Sequence, residues 1–469
     1  MGPDGRPQTV DEVVRALGRE VGLDLPAVRV TGDERALPSA FRIGTAAAAV
    51  VGAVTGAVSL YRREQGHAEV TVDVGEAVAA FKDERYFTID GEALDLWAPL
   101  SRDYPTSDGW VRLHCNFDHH RDAALRALNL PPDSGEAQVA AACAGRTAVD
   151  VEQAVTDAGG CAAATRSRER WHDHPQSRAV ARLPLIGLRR LGPAAHAAPG
   201  PPEHAPVTGT RPLDGVRVLD LTRVLAGPVA TRVLAAHGAK VLKVGAAHLP
   251  EVPGVVISTA FGKRYCELDL RTQEGADALR RLVAGADVLV QSYRPGALAA
   301  LGFGADQLAS MRPGLVRVDI SAYGTLGPWA GRRGFDSLVQ MVCGIAHEGG
   351  DGGDGGKPVP LPVQALDHAT GWLAALGAVA GLLRRRAEGG AWQAETILAR
   401  TALWLDGLGR ITPSPRGRDA GPEAPVPLER MDSSFGTLAY VPAPGAIGGA
   451  RPFWSSPPPR RGEHPPAWW

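Results

Sequence analysis

The sequence predicts an α/β protein built on a doubly wound, Rossmann-like parallel sheet. Three observations carry that expectation. From Gly215 the text reads VRVLDL, a turn-rich TRVLAGP, a helical VATRVLAAHGA and then KVLKV, which is strand, loop, helix and strand at βαβ spacing. Two more apolar runs, ADVLVQSY (286–293) and LVRVDISAYG (315–324), read as buried strands of the same sheet. Between the first two strands and these runs lies the helical pattern QEGADALRRLVAG, so strands and helices alternate as parallel crossovers require.

Composition sets the frame around that sheet. At 469 residues the chain has room for about two or three domains. It holds 57 glycines and 38 prolines, yet 44% of residues are hydrophobic and 22% charged, so it reads as globular rather than low-complexity. Fifty basic against 51 acidic residues leave a net charge of −1, which provides no chain-wide field for nucleic acid or an anionic membrane. Only five of the basic residues are lysines (Lys82, Lys240, Lys243, Lys263 and Lys357). This arginine bias goes with the alanine and glycine excess of a GC-rich genome and makes arginine weak evidence for phosphate binding.

Cys115, Cys143, Cys161, Cys266 and Cys343 are widely spaced and form no CxxC, so neither a disulfide framework nor a zinc site is expected, and a reducing cytoplasm fits. The N-terminus lacks an apolar h-region, and no signal peptide is expected. Ile43 to Leu60 carries no charge and is long enough to cross a bilayer. Its Ala, Gly, Thr and Val content transfers poorly to lipid, so a buried helix is expected instead and no membrane partner. His114, His119 and His120 beside Asp118 form a cluster that could pass for a metal site, but the adjacent histidines point to different faces. No metal is expected.

An internal repeat divides the chain. GAVTG (52–56) and GAVAG (377–381) each end an Ala/Gly-rich apolar run. Each is followed by a basic run and glycine, YRREQG (61–66) or RRRAEGG (384–390), and then by a β-like alternation, EVTVDV (69–74) or QAETIL (393–398). Glycines four apart on a helix face remove side chains where another backbone must approach closely. Between the copies, the segment around 194–211 is rich in Pro, Ala and Gly and reads as a linker. The expected units are therefore 1–193, a linker 194–211, a sheet domain 212–410 and a Pro-rich closing segment 411–469. The aromatic residues of that last segment (Phe453, Trp454, Trp468, Trp469) predict that it lies extended along the other units.

Motifs narrow the chemistry. GxGxxG is absent, and Val244–Gly245 stands where a ribose-binding acid would end the second strand, so a dinucleotide is not expected. Walker A, HExxH and GxSxG are absent too. The strings PLDGVRVLDLTRVLAGPVATRVLAAHGAKVLKV (212–244), GKRYCELDLRTQEGADALRRLVAGADVLVQSYRPGALAALGFG (262–304), LVRVDISAYGTLGPW (315–329), GFDSLVQ (334–340) and LDHATGWLAALGAVAGLLRR (366–385) together resemble the class III CoA-transferases of the CaiB/BaiF type. PPPRRGEH (457–464) is similar to that family's closing segment. The N-terminal half resembles the family out of order: residues 44–80 resemble its post-aspartate helix and strand, and 107–130 and 158–176 its smaller α+β domain. The first copy lacks the front βαβ half, whereas the second has no room for a smaller domain. The resemblance thus implies that one chain combines parts that ordinary members take from two, as an intrachain pseudo-dimer or within a homodimer.

The resemblance also implies a reaction. It makes Asp367 a covalent nucleophile that moves CoA from an acyl-CoA to a carboxylic acid through an aspartyl anhydride and thioester. The first copy has Arg42 or Ile43 at that position, so one centre per chain is implied. With an ordinary pKa near 3.9 such a carboxylate would be ionised at neutral pH and need no separate base. Water must be kept out, and the run GGDGGDGGK (349–357) could be a cover or a surface loop. Read without the resemblance, Asp367 would serve as the N-cap of the following helix. CoA, a substrate rather than a resident cofactor, would pass along Val224, Leu225, Ala226 and Gly227, with Lys263, Arg264 and Arg294 for its phosphates. The segment GAAHLPEVPG (245–254) departs from the charged pattern usual in the family. Phe335, Asp336 and Gln340 would line or brace the pocket, and the histidine cluster would stand at its rim. Racemisation needs two bases, and Phe335 stands where that branch of the family has a histidine before the Asp. A second reading is a non-catalytic relative that binds an acyl-CoA or acts as an interaction subunit.

Overall fold

Six parallel strands and one antiparallel edge strand form the central sheet of the protein, in the order Lys263–Glu267, Lys240–Gly245, Arg217–Leu221, Val288–Gln291, Val316–Ser321, Ala391–Ile397 and Gly187–Leu191. The computed structural model describes residues 6–62, 68–191, 211–350, 356–412 and 426–469. Among the parallel strands the order reverses between Arg217–Leu221 and Val288–Gln291, which opens a crevice beyond their carboxyl ends. The strand centres are buried on both faces, which accounts for the unbroken apolar runs in the sequence. The fold is α/β, a doubly wound parallel sheet with a smaller α+β unit.

That smaller unit comes from the N-terminal half. Asp103–Pro105, Trp110–Leu113 and Ala162–Ala164 form an antiparallel sheet covered by helices Asp118–Ala127, Glu136–Ala144 and Ala148–Asp157. It has its own core around Tyr104, Leu113, Leu125, Val139 and Val151. Ahead of it, Val28–Thr31 and Val70–Asp73 pair in parallel, joined by the helix Ile43–Arg62.

The repeat has a physical counterpart. Helix Ile43–Arg62 leads to strand Val70–Asp73 and helix Val74–Ala80, while helix Ala365–Glu388 leads to strand Ala391–Ile397 and helix Leu398–Gly407. In both copies the glycines receive side chains rather than a backbone: a Cβ on Gly52 would lie 3.3 Å from Val28 and one on Gly381 2.6 Å from Val316, each valine on the strand before its helix. The two helices also pack on one another and are buried nearly all round, which explains their apolarity without a bilayer. The basic run YRREQG reaches into residues outside the described ones. Arg42 lies at the position of the missing carboxylate, buried, and donates to Glu34 at 2.5 Å and to the Gln8 carbonyl at 2.8 Å.

The expected units share sheets. Gly187–Leu191 runs antiparallel to Ala391–Ile397 at the edge of the large sheet. Residues 192–210, and with them all of the expected linker but Arg211, lie outside the described residues. The closing segment first makes strands: Gly436–Tyr440 pairs with Glu429–Ser433 and with Thr88–Ile89, and Ala446–Ile447 pairs with Val70–Thr71. It then runs without further strand along the other units, where Trp454, Trp468 and Trp469 pack. Trp454 is its anchor, donating to the Arg232 carbonyl at 3.0 Å beneath the Arg232 guanidinium. Arg232 in turn pairs with Asp83 at 2.6 Å, and this buried contact ties the N-terminal half to the large sheet's first helix. All five cysteines are buried and unbridged.

Candidate active site

A cavity of about 390 Å³ lies at the carboxyl ends of the strands, at the point where the strand order reverses. Its floor is the loop after Arg217–Leu221, including Arg223, Val224, Leu225, Ala226 and Gly227. Val224 has φ +68°, a conformation costly for a β-branched residue, so the surrounding packing holds the loop in a strained shape beside the cavity. Gly227 is required by that loop itself: a Cβ there would sit 2.4 Å from Thr222. Ser292, Tyr293 and Arg294 follow the neighbouring strand and form the next wall.

Asp367 opens into this cavity from the long helix Ala365–Glu388. It is not the N-cap, a position taken by Gln364, but the third helical residue. Asp336 supplies the missing acceptor, taking the Asp367 N–H at 2.8 Å. Gln340 locks Asp336 through its side-chain amide and accepts the Leu361 N–H at 2.7 Å. Asp336 and Gln340 therefore brace the helix start from beneath, whereas Phe335 lines the cavity and stacks on His114 at 3.6 Å. One turn after Asp367, a Cβ on Gly371 would meet the Ala226 carbonyl at 2.5 Å. That glycine lets the aspartate helix approach the strained loop.

Electrostatics alter the expected ionisation state of Asp367. Burial, then the neighbouring Asp336 and Glu84, push the Asp367 carboxyl well above the ordinary carboxylate range. Asp336 is raised to about 6 by burial, against the N–H donors that favour its charged form. The helix N-terminus acts on Asp367 in the opposite sense, favouring the anion. Asp336→Ala strips the Asp367 N–H of its buried acceptor. A stability loss of about 1–3 kcal/mol is expected by chemical denaturation, with a lowered turnover number, and unchanged stability would remove the bracing role.

The phosphate candidates separate. Arg294 is exposed at the cavity wall. Lys263 is not available: its ammonium is buried and spends its three donors on Asp220 (2.9 Å), the Pro228 carbonyl (3.0 Å) and Thr231 (2.7 Å). Arg264 lies at a different surface depression with Lys240 and stacks over Trp469 at 4.3 Å. Neither can serve where the sequence placed them, because strand Lys263–Glu267 presents its first residues toward the opposite end of the sheet from the cavity.

The smaller unit closes the site. Phe117, His119 and His120 line the cavity, and His120 lies 3.7 Å from the Cys161 sulfur. Among the described residues no group of three or more His, Cys, Asp or Glu side chains is arranged to hold a metal. His368 turns away from Asp367, stacking on Phe81 and meeting Glu84 at 3.1 Å. Of the glycine run 349–357, residues 351–355 lie outside the described ones. Arg223, Arg332 and Arg333 also line the cavity. Sequence reasoning missed them because 45 arginines, of 50 basic residues with five lysines, give no one arginine a signal.

Residues 213–415 match the family model described as CoA-transferase family III. A probable fatty acyl-CoA transferase of Mycobacterium tuberculosis is 37% identical over 208 residues, covering 42% of this chain and 52% of its own length. The human succinyl-CoA:glutarate CoA-transferase is 34% identical over 191 residues, covering 38% of this chain and 43% of its own length. The crystal structure of a hypothetical protein from M. tuberculosis aligns with 34% identity over 42% of this chain and 58% of that chain, at a TM-score of 0.39. The chain spans about half the length of these curated relatives.

Proposed function

We propose, from the premise that residues 213–415 belong to CoA-transferase family III, that this chain moves CoA between an acyl-CoA and a carboxylic acid through covalent chemistry on Asp367. The observation that carries this reading is that Asp367 is the one carboxylate among the described residues lining the cavity, held on a helix start whose backbone Asp336 clamps.

In the first step an Asp367 oxygen attacks the thioester carbonyl, the carbon–sulfur bond breaks and CoA leaves as thiolate, giving a mixed anhydride. The thiolate then attacks the Asp367 carbonyl carbon and expels the donor acid as a carboxylate, leaving an aspartyl-CoA thioester. An acceptor carboxylate attacks that carbonyl, releasing CoA thiolate and forming a second anhydride. Attack of the thiolate on the acceptor's carbonyl forms the new acyl-CoA and restores the Asp367 carboxylate. Every intermediate is open to hydrolysis, and the apolar walls of Phe117, Leu225, Ile320, Phe335 and Leu398 favour transfer by limiting water. CoA is a substrate here and no resident cofactor takes part.

The test is incubation with a set of acyl-CoAs followed by a hydroxylamine quench and peptide mass spectrometry. A hydroxamate on Asp367 is expected. Its absence with every acyl-CoA, together with measurable CoA binding, would establish the second reading, a non-catalytic acyl-CoA binder, which the burial of Asp367 beside Asp336 favours.

The reaction needs Asp367 ionised, and burial opposes this. The labelling rate is therefore expected to keep climbing with pH well above the ordinary carboxylate range. A profile already flat by about pH 5, as for an exposed carboxylate, would show that Asp367 is not held as described.

A further inference from the structure

The cavity carries far more positive charge than one catalytic carboxylate can balance. Arg223, Arg294, Arg332 and Arg333 all line it, against Asp367 alone. Arg332 is accounted for, since it pairs with the buried Glu152 at 3.1 Å and stacks over Trp329 at 4.2 Å. Arg294 is exposed and open to the phosphates of CoA. Arg333 and Arg223 remain. Among the described residues neither has a carboxylate partner: Arg333 donates to the Gly159 carbonyl at 3.0 Å, and Arg223 to the Pro250 carbonyl, with its Nε buried and unbonded. Both are half-buried, and a guanidinium partly withdrawn from water without a counter-charge is costly, so the site is arranged to receive an anion.

The position of that anion follows from the chain. Arg333 precedes Asp336 by three residues, and the Asp336 carboxylate touches the Asp367 backbone, so the two Cα atoms of 333 and 336 are no more than about 11 Å apart. Phe335 lies between, facing the same cavity. His119 joins the group from the smaller unit. Burial, then Arg333 and Arg223, hold its imidazole below its ordinary pKa against the opposing pull of Asp118 and Asp122, so it lies within reach of both cations. Arg332 and Arg333 donate to the Ala162 and Gly159 carbonyls, so this part of the positive charge lies against the smaller unit.

We propose that Arg333, with Arg223 and His119, seats the distal carboxylate of a short dicarboxylic acid whose other carboxyl is the one activated at Asp367. The inference rests on the CoA-transfer reading and narrows it, because the relatives' names range from fatty acyl groups to glutarate. A simple fatty acyl chain would leave both half-buried guanidinium groups without a counter-charge.

Succinyl-CoA and butyryl-CoA, which differ by a terminal carboxylate in place of a methyl, are the probes. In the full-length protein, succinyl-CoA should be preferred about 10- to 100-fold in kcat/KM, the range for a charge-assisted hydrogen bond. In Arg333→Gln that ratio should collapse toward one. Equal use of the two by the wild type, or an unchanged ratio in the variant, overturns the proposal. Thermal protection by the same ligands reads the subsite independently of chemistry. If neither labels Asp367 but succinyl-CoA protects more strongly and only while Arg333 is present, the transfer reading fails and the subsite stands. If Arg333→Gln weakens protection by free CoA as much as by succinyl-CoA, the anion at Arg333 is a CoA phosphate and the proposal is wrong.

Discussion

Asp367→Asn is expected to abolish CoA exchange, by on the order of 10³-fold or more, while making the protein more stable at neutral pH. The amide has no anionic oxygen to attack a thioester, so no anhydride forms and the hydroxylamine adduct disappears. The stability effect comes from the same burial. Because the folded protein raises the Asp367 carboxyl well above its ordinary value, the folded state holds that proton more tightly than the unfolded chain does. The contribution to stability is full below the ordinary carboxylate pKa, near 4, and is lost as pH rises through the folded value. Asparagine resembles the protonated acid at every pH. The variant and wild type should melt together near pH 4, and the variant should melt higher above pH 7. A variant that melts lower at pH 7–8, or that still exchanges CoA, contradicts the assignment. An active site that sacrifices stability for a buried nucleophile is a common form of the trade between the two.

Lys263→Met is expected to cost about 3–5 kcal/mol, the effect of leaving one member of a buried ion pair alone. Lys263 and Asp220 are 1% and 0% exposed and 2.9 Å apart. Burial alone would raise the Asp220 carboxyl, but Lys263 and Lys243 outweigh it and hold the group below its ordinary range. Asp220 also shapes the site, accepting the Thr222 N–H at 3.0 Å and bonding the Thr222 hydroxyl at the start of the strained loop. Removing Lys263 should therefore lower both the denaturation midpoint and the affinity for CoA. Lys263→Met combined with Asp220→Leu removes the stranded charge and should recover most of the stability but not the CoA affinity. If the single variant loses affinity with no change in stability, Lys263 contacts CoA after all.

The elements that sequence reasoning located are those with a short-range signature. The βαβ start after Gly215 and the two later strands alternate apolar runs with turns at spacings that only a parallel sheet accommodates. The repeated glycine helices were visible because a notch on a helix recurs every four residues; the occupants, Val28 and Val316 side chains, were not. Asp367 was legible through a family motif. The N-cap role that the residue would have without the motif falls away, since Asp367 is the third helical residue and the acceptor at the helix start, Asp336, comes from 31 residues away in sequence.

The rest of the site depends on distances that spacing does not encode. Lys263 and Arg294 look alike in sequence, each a basic residue at a strand end, yet one is sealed by three internal acceptors and the other faces the cavity. Arg333 and His119 are more than two hundred residues apart and meet only because the smaller unit of the first copy folds over the sheet of the second. By itself, the sequence determined the parallel sheet and the duplicated helix and pointed to Asp367, since each follows from periodicity or a local motif. Tertiary structure alone decided which arginines lack a counter-ion, what braces the aspartate and how far its proton affinity is raised. Burial and electrostatic pairing are properties of the space around a residue, and that space is furnished by segments far away in the chain.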